Sequence, residues 1–145
     1  MTTIYDRVRH PAASAAAGAG PTAEGFGALR GHKYALLVTY RRSGEPVPTP
    51  VWFGLDGPER LYVRSDAAAA KVKRIRADAR VLVGPCDGRG KPLGPLAAGT
   101  AREVEPGGRE HAEAVLRAGY GLGRRLYERI IGDRSPSTYL EVSAP

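Results

Sequence analysis

Proline cannot donate a backbone hydrogen bond, yet this chain places two prolines inside what otherwise reads as a β-strand, VPTPVWFGL over residues 47–55. At Pro48 and Pro50 the segment has no N–H to offer a neighbour, so it is predicted to lie at a sheet edge or to carry bulges. The dipeptide that follows, Asp56-Gly57, is a strong hairpin-turn signal. Residues 61–65 (LYVRS) are then expected to return as the antiparallel partner.

The remaining elements fit around this hairpin. Residues 34–40 (YALLVTY) read as a buried strand, with RRSGE (41–45) as the turn behind it. A helix is expected over about 67–77, capped by Asp66, with Ala68, Val72 and Ile75 on one face. Lys71 and Arg74 flank that face on one side, and Lys73 and Arg76 on the other. Residues 80–84 and 96–104 read as strands on either side of a Gly/Pro-rich loop. A longer amphipathic helix is expected over about 108–131, bending near the glycines at 119–123, and TYLEV (138–142) closes the chain as an alternating strand. A short helix is also expected over 26–33. This order, with hairpins joining the early strands, predicts an antiparallel barrel with helices outside it rather than a doubly wound parallel sheet.

At 145 residues the chain has room for one domain with a real core. Residues 1–24, with few large apolar groups, read as a flexible Ala/Gly-rich arm ahead of a domain over 25–145. The net charge of +7 allows nucleic acid, an anionic surface or a phosphorylated small molecule as partner. The charge is dispersed and no nucleic-acid-reading motif accompanies it, so no nucleic acid is expected. A single cysteine, a poor signal peptide and the lack of any membrane-length apolar run read as a soluble cytoplasmic protein without a membrane partner.

Most catalytic readings fail. His10, His32 and His111 are scattered without metal-ligand spacing, so no metal is expected. No nucleophile motif appears, and the glycines at 88–94 have the wrong spacing and two nearby prolines where a dinucleotide site needs a helix. Cys86 beside Asp87 reads as a small, partly buried residue, since an adjacent acid disfavours the thiolate. Trp52 reads either as core or as a flat platform. The basic helix reads either as solvated flanks or as a phosphate grip made by Lys71 and Arg74 with Arg64 and Ser65. A planar ring with an anionic tail would satisfy platform and grip together.

Residues 36–53 (LLVTYRRSGEPVPTPVWF), 61–64 (LYVR), 71–76 (KVKRIR), Arg80-Val81, 85–87 (PCD), 99–102 (GTAR), Tyr120-Gly121 and 139–142 (YLEV) together resemble the pyridoxamine 5′-phosphate oxidase-like split-barrel superfamily. The likeness is nearest to its branch that uses the deazaflavin coenzyme F420. It implies a homodimeric, mainly β protein built on a six-stranded antiparallel split barrel with flanking helices, and two cofactor sites at the dimer interface. It further implies that Thr49, Pro50, Val51 and Trp52 line the deazaflavin ring. Arg64, Ser65, Lys71, Lys73 and Arg74 would hold the phosphate and acidic tail, and Pro85, Cys86 and Asp87 would sit near the ring or the dimer seam. Ala69-Ala70 stands where a small hydroxyl and a glycine are common, and Ala79 where a proline is.

Three functions are open at this level. The first is an oxidoreductase moving a hydride between F420 and an unsaturated or oxidised small organic substrate, with Tyr120 or water delivering a proton. The second keeps the fold and uses FMN. The third is non-catalytic, a cofactor carrier or a basic interaction module.

Overall fold

A computed structural model describes residues 10–120 and 136–145. The strands are β1 (Tyr34–Tyr40), β2 (Pro46–Trp52), β3 (Gly54–Leu55), β4 (Arg60–Asp66), β5 (Arg80–Cys86), β6 (Ala97–Glu103) and β7 (Ser137–Ser143). The helices are α1 (Pro11–Ala19), α2 (Ala70–Ala77) and α3 (Arg109–Tyr120). All seven strands form one sheet in the order β2-β1-β5-β6-β7-β4-β3, every pairing antiparallel.

The sheet's two outer strands, β2 and β3, are consecutive in the chain and separated only by Phe53. The sheet therefore curls until its ends meet at that residue. This corrects the expected strand count from six to seven. The predicted strand over 47–55 divides, its first part pairing with β1 and its last two residues with β4. The cause is helix α3. A Cβ on Gly54 would stand 2.7 Å from the Val115 carbonyl oxygen, so only glycine lets the helix lie on the chain at this bend. The hairpin turn after β3 forms as expected, with Gly57 at φ 74°.

Alternation along the strands separates an inner from an outer face. Leu37, Val51, Leu61, Val63, Val81, Val83, Leu140 and Val142 fill the interior with Phe26, Leu29 and Phe53. Val72 and Ile75 of α2 plug one mouth, each adding about 1.5–3 kcal/mol by burial. The outer face is covered twice. Ala13 and Ala17 of α1 pack on Leu36, Val38, Leu82 and Cys86. Ala112 and Leu116 of α3 pack on Tyr62 and Val104.

Within the stretch set apart as an arm, residues 11–19 are thus helical and lie on the sheet, because alanines allow close approach where larger groups would not. Two helix expectations need correction. Over 26–33 only a single 3₁₀ turn forms, at Gly27–Leu29. Asp66 does not cap α2: it remains in β4 opposite Ser137, and its Oδ1 accepts from the Ala68 N–H at 2.9 Å. The helix begins three residues later than predicted, behind Ala69, which has no capping side chain. The final helix starts as expected, and the glycine bend at 119–123 falls mostly outside the described residues.

Candidate functional site

The barrel is split beside Phe53. β3 pairs with β4 only at Tyr62 and Leu61, so among the described residues the β4 edge over 63–66 has no strand beside it. Across the gap runs the outer edge of β2, which among the described residues pairs with β1 alone. The expectation of an edge strand is met. Pro46, Pro48 and Pro50 stand opposite Tyr40, Val38 and Leu36, so the ladder to β1 is carried by Val47, Thr49 and Val51. The prolyl carbonyls consequently turn away from β1, towards the split.

Carrying the Gly54–Tyr62 pairing back by two residues sets Trp52 level with Arg64 on the two sides of the split. Both side chains share the outer face. Trp52 meets Tyr34 edge-on with ring centroids 5.0 Å apart, and it packs with Tyr139 against the cluster under α3. The Arg64 guanidinium carbon lies 6.0 Å from the Tyr139 ring centre. Tyr139 in turn donates to the Glu113 carboxylate, and burial, followed by that carboxylate, pushes its hydroxyl up to about 12. Arg64 Nε is the one buried side-chain nitrogen or oxygen among the described residues with no hydrogen-bond partner. Such an atom costs about 1–3 kcal/mol until something accepts from it.

Helix α2 follows the end of β4 and packs against β1 and β6. Arg74 Nε donates to Thr39 Oγ1 at 2.6 Å, which fixes the guanidinium beside Val47. Lys71 is one turn earlier on the same flank. Burial, and after it the like charge of Arg74, hold its ammonium below the ordinary lysine range, against the pull of Asp66. Two cations are thus kept together, Lys71 near Asp66 at the end of β4 and Arg74 against Thr39 near the end of β1.

The other predicted residues fall elsewhere. Thr49 and Val51 share the inner face of β2 and turn their backbone groups to β1, so neither faces the groove, while Pro50 lies on its edge. Ser65 points inward, is buried, and donates to the Asp66 carbonyl at 3.0 Å. Lys73 is exposed on the opposite flank of α2, beside Arg76, which pairs with Glu103. Pro85, Cys86 and Asp87 end β5, with β1 between them and β2. Cys86 is buried under α1, and burial, then Asp87, pushes its thiol up to about 12. The Asp87 carboxylate accepts from the Arg89 and Lys91 N–H groups, both at 2.9 Å, and shapes the loop. The Tyr120 side chain lies outside the described residues.

Thr39, Tyr139 and Glu113 were not singled out by sequence. Thr39 and Tyr139 lie within segments that carry the family resemblance, 36–53 and 139–142, and Tyr139 stands at an outward position of an alternating strand. Two hollows lie off the groove. One, of about 420 Å³, runs from Phe53 along α3 to His32, and the other, of about 750 Å³, lies by Thr22 and Glu59.

No protein-family model matches the chain, and no curated protein matches it. Solved structures do. An FAD-binding protein of Mesorhizobium loti is 21% identical with a TM-score of 0.57, over 81% of this chain and 82% of that one. The heme storage protein HutZ of Vibrio cholerae is 16% identical with a TM-score of 0.57, over 80% and 84%. A presumed pyridoxamine 5′-phosphate oxidase of Listeria innocua is 19% identical with a TM-score of 0.51, over 80% and 86%. The chain thus shares the fold of these proteins, the pyridoxamine 5′-phosphate oxidase-like split barrel. Among the described residues no helix is long and apolar enough to cross a membrane.

Proposed function

We propose that this chain binds reduced coenzyme F420 in the split and transfers its hydride to an unsaturated or oxidised small organic molecule. The observation that carries the reading is the unpartnered Arg64 Nε beside the split, with Lys71 and Arg74 kept together on α2. These residues fit a phosphate with attached carboxylates: arginine offers a planar fork and lysine a compact charge. The β2 edge from Pro50 to Trp52 would hold the ring. The cofactor supplies the hydride chemistry, while the chain orients the ring and keeps water from it behind Trp52 and Tyr139. Thr39 fixes one arm of the anion grip, and Glu113 holds the Tyr139 hydroxyl.

FMN is the second reading, favoured by the fold's FAD-binding neighbour. Pro85, Cys86 and Asp87 are separated from β2 by β1, with Tyr34 standing between Cys86 and Trp52. The test is titration with F420 and FMN side by side, following Trp52 fluorescence. Saturation by F420 at micromolar levels, lost in Lys71→Glu/Arg74→Glu, supports the reading. Absence of saturation by F420 refutes it, and saturation by FMN alone replaces it with the second.

A further inference from the structure

We propose that the hollow between α3 and the turn over residues 29–32 is a second ligand site, which takes a small carboxylic acid with an apolar body. The site is independent of the cofactor reading above. Val115 and Ala118 line it from one flank of α3. Glu113, which holds Tyr139 at the split, lies about 200° around the helix from Val115. The hollow therefore opens on the other side of α3 from the split.

Its apolar walls come from Leu29, Phe53, Leu55 and Val115, the first two being core residues that reach it. Space remains because α3 presents only Ala114, Ala118 and Gly119 beside them. Gly119 also draws the helix against the chain, since a Cβ there would stand 3.2 Å from the Phe53 carbonyl oxygen. Larger side chains at 114 and 118 would fill the gap. The volume of about 420 Å³ falls within the range of about 300–1,000 Å³ usual for small-molecule sites.

The polar lining is basic. The Arg30 N–H donates to the Gly27 carbonyl at 3.2 Å and the His32 N–H to the Leu29 carbonyl at 3.1 Å, with Gly31 at φ 85° between them. The turn so fixed presents Arg30 and His32 to the hollow. Neither side chain has an ion-pair or hydrogen-bond partner among the described residues. Among those residues no Asp or Glu lines the hollow either. Asp56, next to the lining, is already engaged, its Oδ2 accepting from His111 Nε2 at 2.8 Å. An uncommitted guanidinium and imidazole over apolar walls call for a carboxylate head on an apolar body. A sugar phosphate would leave the walls unused, and a neutral apolar molecule would leave Arg30 unused.

The experiment titrates isotope-labelled protein with phenylacetate, its neutral amide and acetate, following proton–nitrogen correlation spectra for the wild type, Arg30→Gln and Ala118→Phe. Both substitutions fall at exposed positions, and thermal melts confirm folding. Phenylacetate is expected to saturate with a dissociation constant of about 1 mM or tighter, with shifts centred on residues 29–32 and 111–119. Because Arg30 is exposed, its charge-assisted hydrogen bond is taken at the low end, about 10-fold in affinity. The amide, and Arg30→Gln with phenylacetate, should each bind about 10-fold more weakly. Acetate should bind more weakly still, lacking the apolar body. Ala118→Phe fills the hollow and should abolish binding. Absence of saturation overturns the proposal, as does an amide or acetate that binds as tightly as phenylacetate. Binding that survives Ala118→Phe, or that is lost in Lys71→Glu/Arg74→Glu and kept in Arg30→Gln, places the acid elsewhere and also overturns it. None of these outcomes bears on F420.

Discussion

Arg64→Met separates what this side chain does for the fold from what it does for a ligand. In the protein alone, Nε is buried without an acceptor, a cost of about 1–3 kcal/mol. Against that stands attraction to the Tyr139 ring, which at 6.0 Å lies at the outer limit of such contacts and is worth about 0.5 kcal/mol. Methionine keeps the unbranched stem and removes the orphaned donor. The unliganded variant is therefore expected to be about 1 kcal/mol more stable, which for a chain of this length raises Tm by about 4 °C. The same substitution removes a charge-assisted hydrogen bond to the bound anion, worth about 1.5–3 kcal/mol, so cofactor affinity should fall about 10- to 100-fold. Differential scanning calorimetry of the unliganded protein and a fluorescence titration supply both numbers. A variant that melts lower by several degrees would show the guanidinium to be a structural partner. Unchanged affinity would remove Arg64 from the anion grip. Arg64→Lys is expected to keep part of the affinity, since the charge survives and the fork does not.

Gly54→Val should cost about 1–3 kcal/mol in urea unfolding, because its Cβ meets the Val115 carbonyl oxygen at 2.7 Å and α3 must retreat; wild-type stability would mean that α3 does not dock there. Cys86 should resist a disulfide-exchange reagent at pH 8 until the protein unfolds, its thiol being buried and pushed up to about 12, and fast labelling of the native protein would contradict this. The depressed Lys71 pKa means that, between its folded value and the unperturbed 10.5, the unfolded chain binds more protons. Stability should rise with pH through that window, and its penalty should be complete below it. Lys71→Met should flatten this part of the profile, and an identical slope in both proteins would refute the assignment.

What could be read from sequence was whatever local chemistry decides. Asp56-Gly57 makes its turn because a positive φ is needed there, and no distant residue is consulted. Pro48 and Pro50 dictate an edge for the same reason: a missing N–H is missing in any fold. The division of the strand at Phe53 was not legible. It depends on Gly54 meeting Val115 and Leu116 of α3, some sixty residues on, and nothing in VPTPVWFGL shows that contact. Helix α1 was missed because alanine carries little hydrophobic signal, although Ala13 and Ala17 are buried once Leu36 and Val38 provide a surface. Asp66 misled because its side chain satisfies one N–H just past the strand, a turn function that resembles a helix cap in sequence. In the site, the flank of α2 that holds Lys71 and Arg74 followed from helical period alone. The orphaned nitrogen of Arg64 and the support from Thr39 required the tertiary fold.

The prolines explain a second property of the sheet besides its edge. A curled sheet whose ends meet at Phe53 could zip further, with residues 50–52 of β2 pairing against 64–66 of β4 and closing the split. Pairing of that kind needs N–H donors on the facing edge, and within residues 50–52 Pro50 removes one of the two. The same deficiency disfavours the addition of a strand from a second copy along β2. An open seam leaves Arg64 without its acceptor, and Lys71 is held partly desolvated beside Arg74. Those costs are the expected sign of a groove shaped for something anionic to fill. Closing it with donors in place of the prolines would stabilise the barrel and abolish the site in one step.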